Sequence, residues 1–138
     1  MKLTKLFLAL LCAAFTVLAA TPQDADEQAL SAAMKTVMPT NGSWRKNVEA
    51  KDSTAAKADA AKLEAVFKTS EEFWTKRKAQ DAIDLSKTAR AAAAELGKLA
   101  GAGEWDKLPA EQMKLQATCK ACHDAHRGGS REAGWTIK

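Results

Sequence analysis

The sequence predicts an all-α protein, an antiparallel four-helix bundle formed by residues 21–138. Three observations predict it. Apolar residues recur at alternating steps of three and four in three long stretches, a fourth stretch opens at a proline, and the connections are short. The composition agrees, since 46% of the 138 residues are hydrophobic and 28% are charged. The length predicts one domain, and we expect no strands.

Residues 1–20 have the features of a secretory signal peptide. Lys2 and Lys5 form a basic start, residues 6–18 are apolar, and Ala19-Ala20 supplies small residues near a cleavage point. We expect cleavage after export and a periplasmic location. An uncleaved anchor is the alternative, but the apolar run is shorter than the roughly 20 residues that span a bilayer. Cys12 would leave with this segment.

The first helix is predicted to open at Thr21-Pro22, with Thr as cap and Pro in the first turn. Pro39 should bend this helix, or Asn41-Gly42 should interrupt it, because proline removes a backbone donor and glycine weakens a helix. Its inward stripe is predicted to contain Leu30, Met34, Val37, Asn41, Trp44 and Val48.

Three further helices follow. The second should begin near residues 52–54, and the third should end among Gly97, Gly101 and Gly103. The fourth should run from Pro109 to about Arg127. The inward residues are predicted to be Leu63, Val66, Phe67, Ser70 and Trp74 in the second helix, and Ala82, Leu85, Ala89, Ala92, Leu96 and Leu99 in the third.

The fourth helix carries the sequence Cys119-Lys120-Ala121-Cys122-His123, which admits three interpretations. A thioredoxin-like redox pair would sit at the start of a helix in a strand-containing fold. A structural zinc site would need four ligands from separate elements, whereas all candidates here lie within eight residues. A covalent haem uses the whole motif, because each thiol adds to a vinyl group and the imidazole binds the iron. We therefore predict one haem c, with Cys119 and Cys122 as thioether attachments and His123 as iron ligand.

Charge and motifs exclude several other functions. Without the signal peptide the chain has 19 basic and 17 acidic residues, interspersed along its length, so no basic face for nucleic acid is expected. Stable membrane insertion is not expected either. No serine-hydrolase motif or phosphate-binding loop is present, and we do not expect an enzyme. Lys120 and Arg127 predict a locally positive rim that attracts transient redox partner proteins.

These residues resemble the cytochrome c-prime superfamily, which includes the low-spin cytochromes c-556. The resemblance rests on CxxCH in a last helix, on Arg127 four residues after His123, and on a methionine in the first helix. It implies that Arg127 lies near the proximal histidine or a haem propionate, and that a homodimer through the first two helices is possible. His126 replaces a common aromatic residue, and Gly129–Lys138 lies outside the pattern.

The second axial position of the iron decides between two functions. His126 lies three residues beyond His123 on the same helix, so it cannot reach the opposite face of a haem. The candidates are Met38, Met34 or no ligand at all, because the two methionines are one turn apart on the first helix. The alternative is that both methionines only fill the core.

The resemblance favours Met38, because residues 38–42 look like a Met-x-x-Asn-Gly stretch of some low-spin members. Ligation by His and Met predicts an electron carrier. An open position predicts a five-coordinate protein that binds nitric oxide or carbon monoxide.

Overall fold

A computed structural model describes residues 24–138, and it is dominated by four α-helices. A short 3₁₀ helix precedes the last of them, and a two-stranded hairpin follows it. The signal peptide and the Thr21-Pro22 cap lie outside the described residues. The elements are α1 (Ala25–Glu49), α2 (Ser53–Arg77), α3 (Gln80–Gly101), the 3₁₀ helix (Trp105–Lys107), α4 (Leu108–His126), β1 (Arg127–Ser130) and β2 (Gly134–Ile137).

Helix α1 begins at Ala25, where the Asp24 carboxylate accepts a hydrogen bond from the Glu27 N–H at 2.8 Å. The helix continues to Glu49 with Pro39 inside it, so the predicted interruption at Asn41-Gly42 is wrong. An internal proline costs about 3 kcal/mol of helix stability. Tertiary packing on both sides of Pro39 offsets this cost, since most helical stability in proteins comes from a buried face.

Helices α2 and α3 follow the sequence prediction closely. Asp52 caps α2 by accepting from the Ala55 N–H at 2.9 Å, and α3 ends at Gly101. All five predicted inward residues of α2 are buried, as are five of the six in α3, with Leu85 half-buried. Gly97 lies inside α3 rather than beyond it. A Cβ at this position would lie 3.2 Å from the Ala60 Cβ, so glycine lets α2 and α3 approach closely.

Helix α4 starts one residue before the predicted Pro109 and ends at His126. The expectation of no strands is wrong, because β1 and β2 form an antiparallel hairpin in the tail. Gly129 makes this hairpin possible. Its φ is +75°, and an added Cβ would lie 2.1 Å from the Gly134 carbonyl oxygen, so no other residue fits.

Consecutive helices pack against one another, α1 on α2, α2 on α3 and α3 on α4. Their buried side chains form two apolar clusters. The first, called the main cluster, contains Trp44, Leu63, Phe67, Leu96 and Leu115, with Cys119 packed at its edge. The second, called the end cluster, contains Leu30, Phe73, Trp74, Ala82 and Ile83, and Met34 and Ile137 pack against it.

Ion pairs join the helix termini. Lys76 and Arg77 at the end of α2 contact Asp26 and Asp24 at the start of α1, at 2.7 and 2.8 Å. Within the described part of the chain, no helix combines the length and hydropathy that crossing a membrane requires.

Candidate functional site

The last two turns of α4 place Cys119, Cys122 and His123 on neighbouring positions of one helix surface. Residues three and four apart lie on the same face of a helix, one turn apart. Both thiols and the imidazole can therefore contact the same planar group. All three side chains are half-buried. Both cysteines are free thiols rather than a disulfide. The structure thus brings the whole motif together on one surface of α4.

The thiols are poor nucleophiles in this environment. Burial raises the pKa of Cys119 to about 11, and the neighbouring Cys122 contributes in the same direction. Burial, followed by the charge of Asp81, raises the pKa of Cys122 above its usual value. Catalytic redox cysteines need a lowered pKa, usually at a helix N-terminus, whereas these lie near the C-terminus of α4. The arrangement does not favour a thioredoxin-like pair.

Slow thiol alkylation is the first testable consequence. In haem-free protein, iodoacetamide should label Cys119 roughly a hundredfold more slowly at pH 8 than it labels an unperturbed thiol, because two pKa units reduce the thiolate about a hundredfold. The labelling rate should still rise above pH 9.5. The same protein in urea serves as control, and a rate that levels off by pH 8 would instead indicate an activated redox pair.

The His123 side chain suits a metal ligand. Burial lowers its pKa first, and the Arg127 charge lowers it further against the opposing effect of Asp124. The imidazole is therefore neutral near pH 7, with a free lone pair. No hydrogen bond of its ring to another residue within 24–138 is found. The ring nitrogen of His123 can therefore bind a metal ion.

His126 occupies a different environment from His123. Its Nε2 lies 2.8 Å from the Asp81 carboxylate of α3, and its ring lies 4.7 Å from the Trp74 ring of α2. The hydrogen bond to His126 lowers the pKa of Asp81. The pair fastens the end of α4 to α3. Nothing in the sequence pattern singled out Asp81 for this contact, since it reads as an ordinary acidic residue in the first turn of α3.

Arg127 adopts an extended conformation directly after α4, and its guanidinium lies 4.1 Å from the centre of the Trp135 ring. Its charge still acts on His123. The predicted contact with a propionate or with the proximal side of a haem stays a prediction.

The two candidate methionines of α1 differ sharply. Met34 packs against the end cluster, whereas the Met38 side chain is 77% exposed. Asn47 marks the side of α1 that faces α2, because its amide donates to Asp59 of α2 at 2.7 Å. Met38 is nine residues from Asn47, and at about 100° per residue it lies on the opposite side of the helix. It belongs to the side of α1 that α2 leaves uncovered.

The surroundings of Met38 are otherwise compatible with a ligand role. The helix continues through Pro39 without a break, so Met38 keeps its helical register. One turn further, the Asn41 amide oxygen is buried and has no hydrogen-bond partner in the described chain. Such an orphan acceptor is rare in a finished core, so the helices alone do not complete the packing here.

Among residues 24–138, no group of three or more His, Cys, Asp or Glu side chains is placed to hold a metal ion. An ordinary zinc site needs such a group. Haem iron takes most of its bonds from the porphyrin and only its axial ligands from the protein, so the residues present fit a haem. No protein-family model, curated protein or solved structure matches this chain.

Proposed function

We propose that this chain is an exported monohaem c-type cytochrome that carries electrons. The observation that supports this proposal is one surface of α4. Two free thiols and a neutral imidazole lie there within two helical turns. Cys119 and Cys122 would hold the haem through thioethers, and His123 would bind the iron. A covalently attached haem supplies an iron that accepts and returns one electron.

Met38 is the proposed second axial ligand. Met34 is engaged in apolar packing, while the Met38 thioether has no packing role. The Met38 side chain is 77% exposed, so its sulfur is accessible to a bound group. Helices α1 and α4 are not among the closely packed pairs. We infer that His123 of α4 and Met38 of α1 are the residues that would hold a haem iron.

The finer architecture belongs to the same proposal. The start of α1 lies beside the end of α2, and the start of α3 lies beside the end of α4. These contacts support an antiparallel four-helix bundle like that of the cytochrome c-prime superfamily. Residues 1–20 would direct export to the periplasm, where thioether formation takes place. The c-556-like, low-spin type is the closer analogy because it uses a methionine ligand.

The protein's contribution to electron transfer would be a fixed coordination geometry. The Asp81–His126 contact fastens the end of α4 that carries His123. A haem held by these two residues would supply an iron that changes oxidation state with little reorganisation of the protein. Methionine ligation also favours the ferrous form and raises the reduction potential.

Expression of the full chain in cells with c-type cytochrome maturation tests the haem proposal. The purified protein should carry one covalent haem, seen by denaturing gel haem stain, mass spectrometry and visible absorption. Changing Cys119 or Cys122 to Ser should leave at most one thioether and reduce the holoprotein strongly. Cys12→Ser is the matched control and should have no effect on haem attachment.

Two outcomes would overturn the proposal. One is a mature protein without haem that contains a Cys119–Cys122 disulfide. The other is haem loss in the Cys12→Ser variant with retention in both other variants. A haem that is high-spin and binds carbon monoxide readily in the wild type would keep the cofactor but replace the carrier with a gas binder.

A further inference from the structure

The C-terminal hairpin packs against the end of α4 that carries the CxxCH motif. Ile137 packs against the end cluster, and the Lys138 ammonium donates to the Asp124 carbonyl oxygen of α4 at 3.0 Å. The Lys138 N–H donates to the His126 carbonyl oxygen at 3.0 Å. Together with the obligatory Gly129, these contacts fix the hairpin on the helices beside His123 and His126. The hairpin is therefore a packed part of the fold.

The outer surface of this hairpin combines an exposed aromatic ring with positive charge. The Trp135 side chain is 51% exposed, and the Arg127 guanidinium lies over its ring. Residues 127–138 contain three basic residues and one acidic residue. The single acid, Glu132, stays ionised, since the backbone and the Ser130 hydroxyl lower the pKa of its carboxyl group. Three basic side chains and one acidic side chain leave the hairpin with a side-chain charge of +2.

The basic residues of the hairpin also differ from most on the helices. Arg127 and Arg131 form no salt bridge with any residue in 24–138, whereas ion pairs hold Lys62, Lys68, Lys76, Arg77, Arg90, Lys98, Lys107, Lys114 and Lys120. Lys120, the residue expected to form a positive rim, lies 2.5 Å from Asp124, which offsets its charge. The hairpin therefore adds two arginines without a salt bridge beside the motif.

We propose that Trp135, Arg127 and Arg131 form the docking surface for an acidic electron-transfer protein. This inference rests on the proposed function, because it places the partner at the haem-bearing end of α4. One electron would pass between the bound cofactor and the oxidised or reduced centre of the partner, with no bond made or broken. Trp and Arg are the residue types most enriched at the energetic centres of protein interfaces. The two arginines would steer an acidic partner into contact.

The size of the surface fits a transient protein contact. One hairpin with one exposed aromatic ring offers far less than a stable interface of about 1,600 Å², and weak redox encounters lie at the small end of the range. A membrane surface is the competing occupant. Trp135 stands alone as an exposed large apolar residue on this hairpin, while a membrane-bound segment presents a continuous apolar face. The arrangement favours a protein.

Stopped-flow electron transfer between reduced holoprotein and oxidised plastocyanin, an acidic copper protein used as probe, tests this surface. Arg131→Glu should slow the second-order rate about tenfold at low ionic strength, and the difference should fade at high salt because exposed charges are screened. Trp135→Ala should slow it severalfold at every salt concentration. Lys57→Glu is the matched control, since Lys57 is exposed, forms no salt bridge in the described chain, and lies about 25 Å along α2 from Trp74.

Control measurements with a small reductant and with lipid vesicles show whether the haem, the docking surface or the choice of partner is wrong. Each variant should keep the wild-type absorption spectrum and its rate with a small uncharged reductant. If the wild type contains no haem, the proposed function has failed before the surface is tested. If haem is intact but Arg131→Glu and Lys57→Glu slow the rate equally, the docking surface is wrong. Co-sedimentation of the wild type but not of Trp135→Ala with phosphatidylglycerol vesicles, together with plastocyanin rates that Arg131→Glu and Trp135→Ala leave unchanged, would assign the hairpin to a membrane surface and also overturn the proposal.

Discussion

Replacing Met38 with alanine should convert the ferrous haem from low-spin to high-spin. The proposed thioether is then absent, and the iron is left with His123 as its single protein ligand. The variant should bind carbon monoxide readily, whereas the wild type should respond slowly, because the gas must first displace a bound ligand. Loss of methionine ligation should also lower the reduction potential. Absorption spectra of both oxidation states, with and without carbon monoxide, measure this change.

Met34→Ala is the internal control for this experiment. Met34 is one turn away on the same helix and packs against the end cluster. Its truncation should leave a low-spin spectrum and reduce the free energy of unfolding by about 1–2 kcal/mol, less than for a fully buried methionine. A high-spin spectrum in Met34→Ala alone would name Met34 as the ligand. Low-spin spectra in both variants would remove methionine from the iron.

The helical part of the fold was predictable because each helix carries a regular inward stripe. Leu63, Phe67 and Trp74 recur at helical spacing in α2, and the structure buries all three. The hairpin was not predictable in this way. Its strands are four residues each, and β1 consists of Arg127, two glycines and Ser130, which have no strand preference. Its formation depends on Gly129 and on Ile137 reaching the end cluster, which are tertiary effects.

The candidate site was predictable in its chemistry but not in its surroundings. The spacing of Cys119, Cys122 and His123 is local, so one helix suffices to bring them together. The contact of His126 with Asp81 joins residues 45 positions apart in the sequence. Helical spacing alone left Met34 and Met38 both open as ligands, because they are one turn apart, and only the resemblance favoured Met38. Residues four apart are offset by about 40° around the helix axis. This offset leaves Met34 packed and Met38 exposed.

Asp59 is the most deeply buried carboxylate of the helical core, with 2% of its surface exposed. Its oxygens accept hydrogen bonds from Asn47 of α1 at 2.7 Å and from Lys62 at 2.9 Å. Burial acts to raise its pKa, but hydrogen bonds from Ser43, Lys62 and Asn47 and the Lys62 charge outweigh it. The pKa of Asp59 therefore lies below the usual value of 3.8. This carboxylate joins α1 to α2.

Asp59→Ala should reduce the free energy of unfolding by about 2–3 kcal/mol at pH 7, because the Asn47 amide loses its partner in a half-buried position. Asp84→Ala, at an exposed position bonded to Gln80, is the matched control and should cost less than about 0.5 kcal/mol. Denaturant unfolding followed by circular dichroism measures both.

The pH dependence of the Asp59→Ala difference identifies the ionised carboxylate as its source. A carboxyl group with a lowered folded-state pKa stabilises the fold above its unfolded pKa, and this contribution disappears as the pH falls through the lower folded value. The difference between wild type and Asp59→Ala should stay constant from pH 7 to pH 5 and shrink below about pH 4. A difference that is independent of pH down to 3 would mean that Asp59 acts through packing alone, and that its ionised form does not hold α1 on α2.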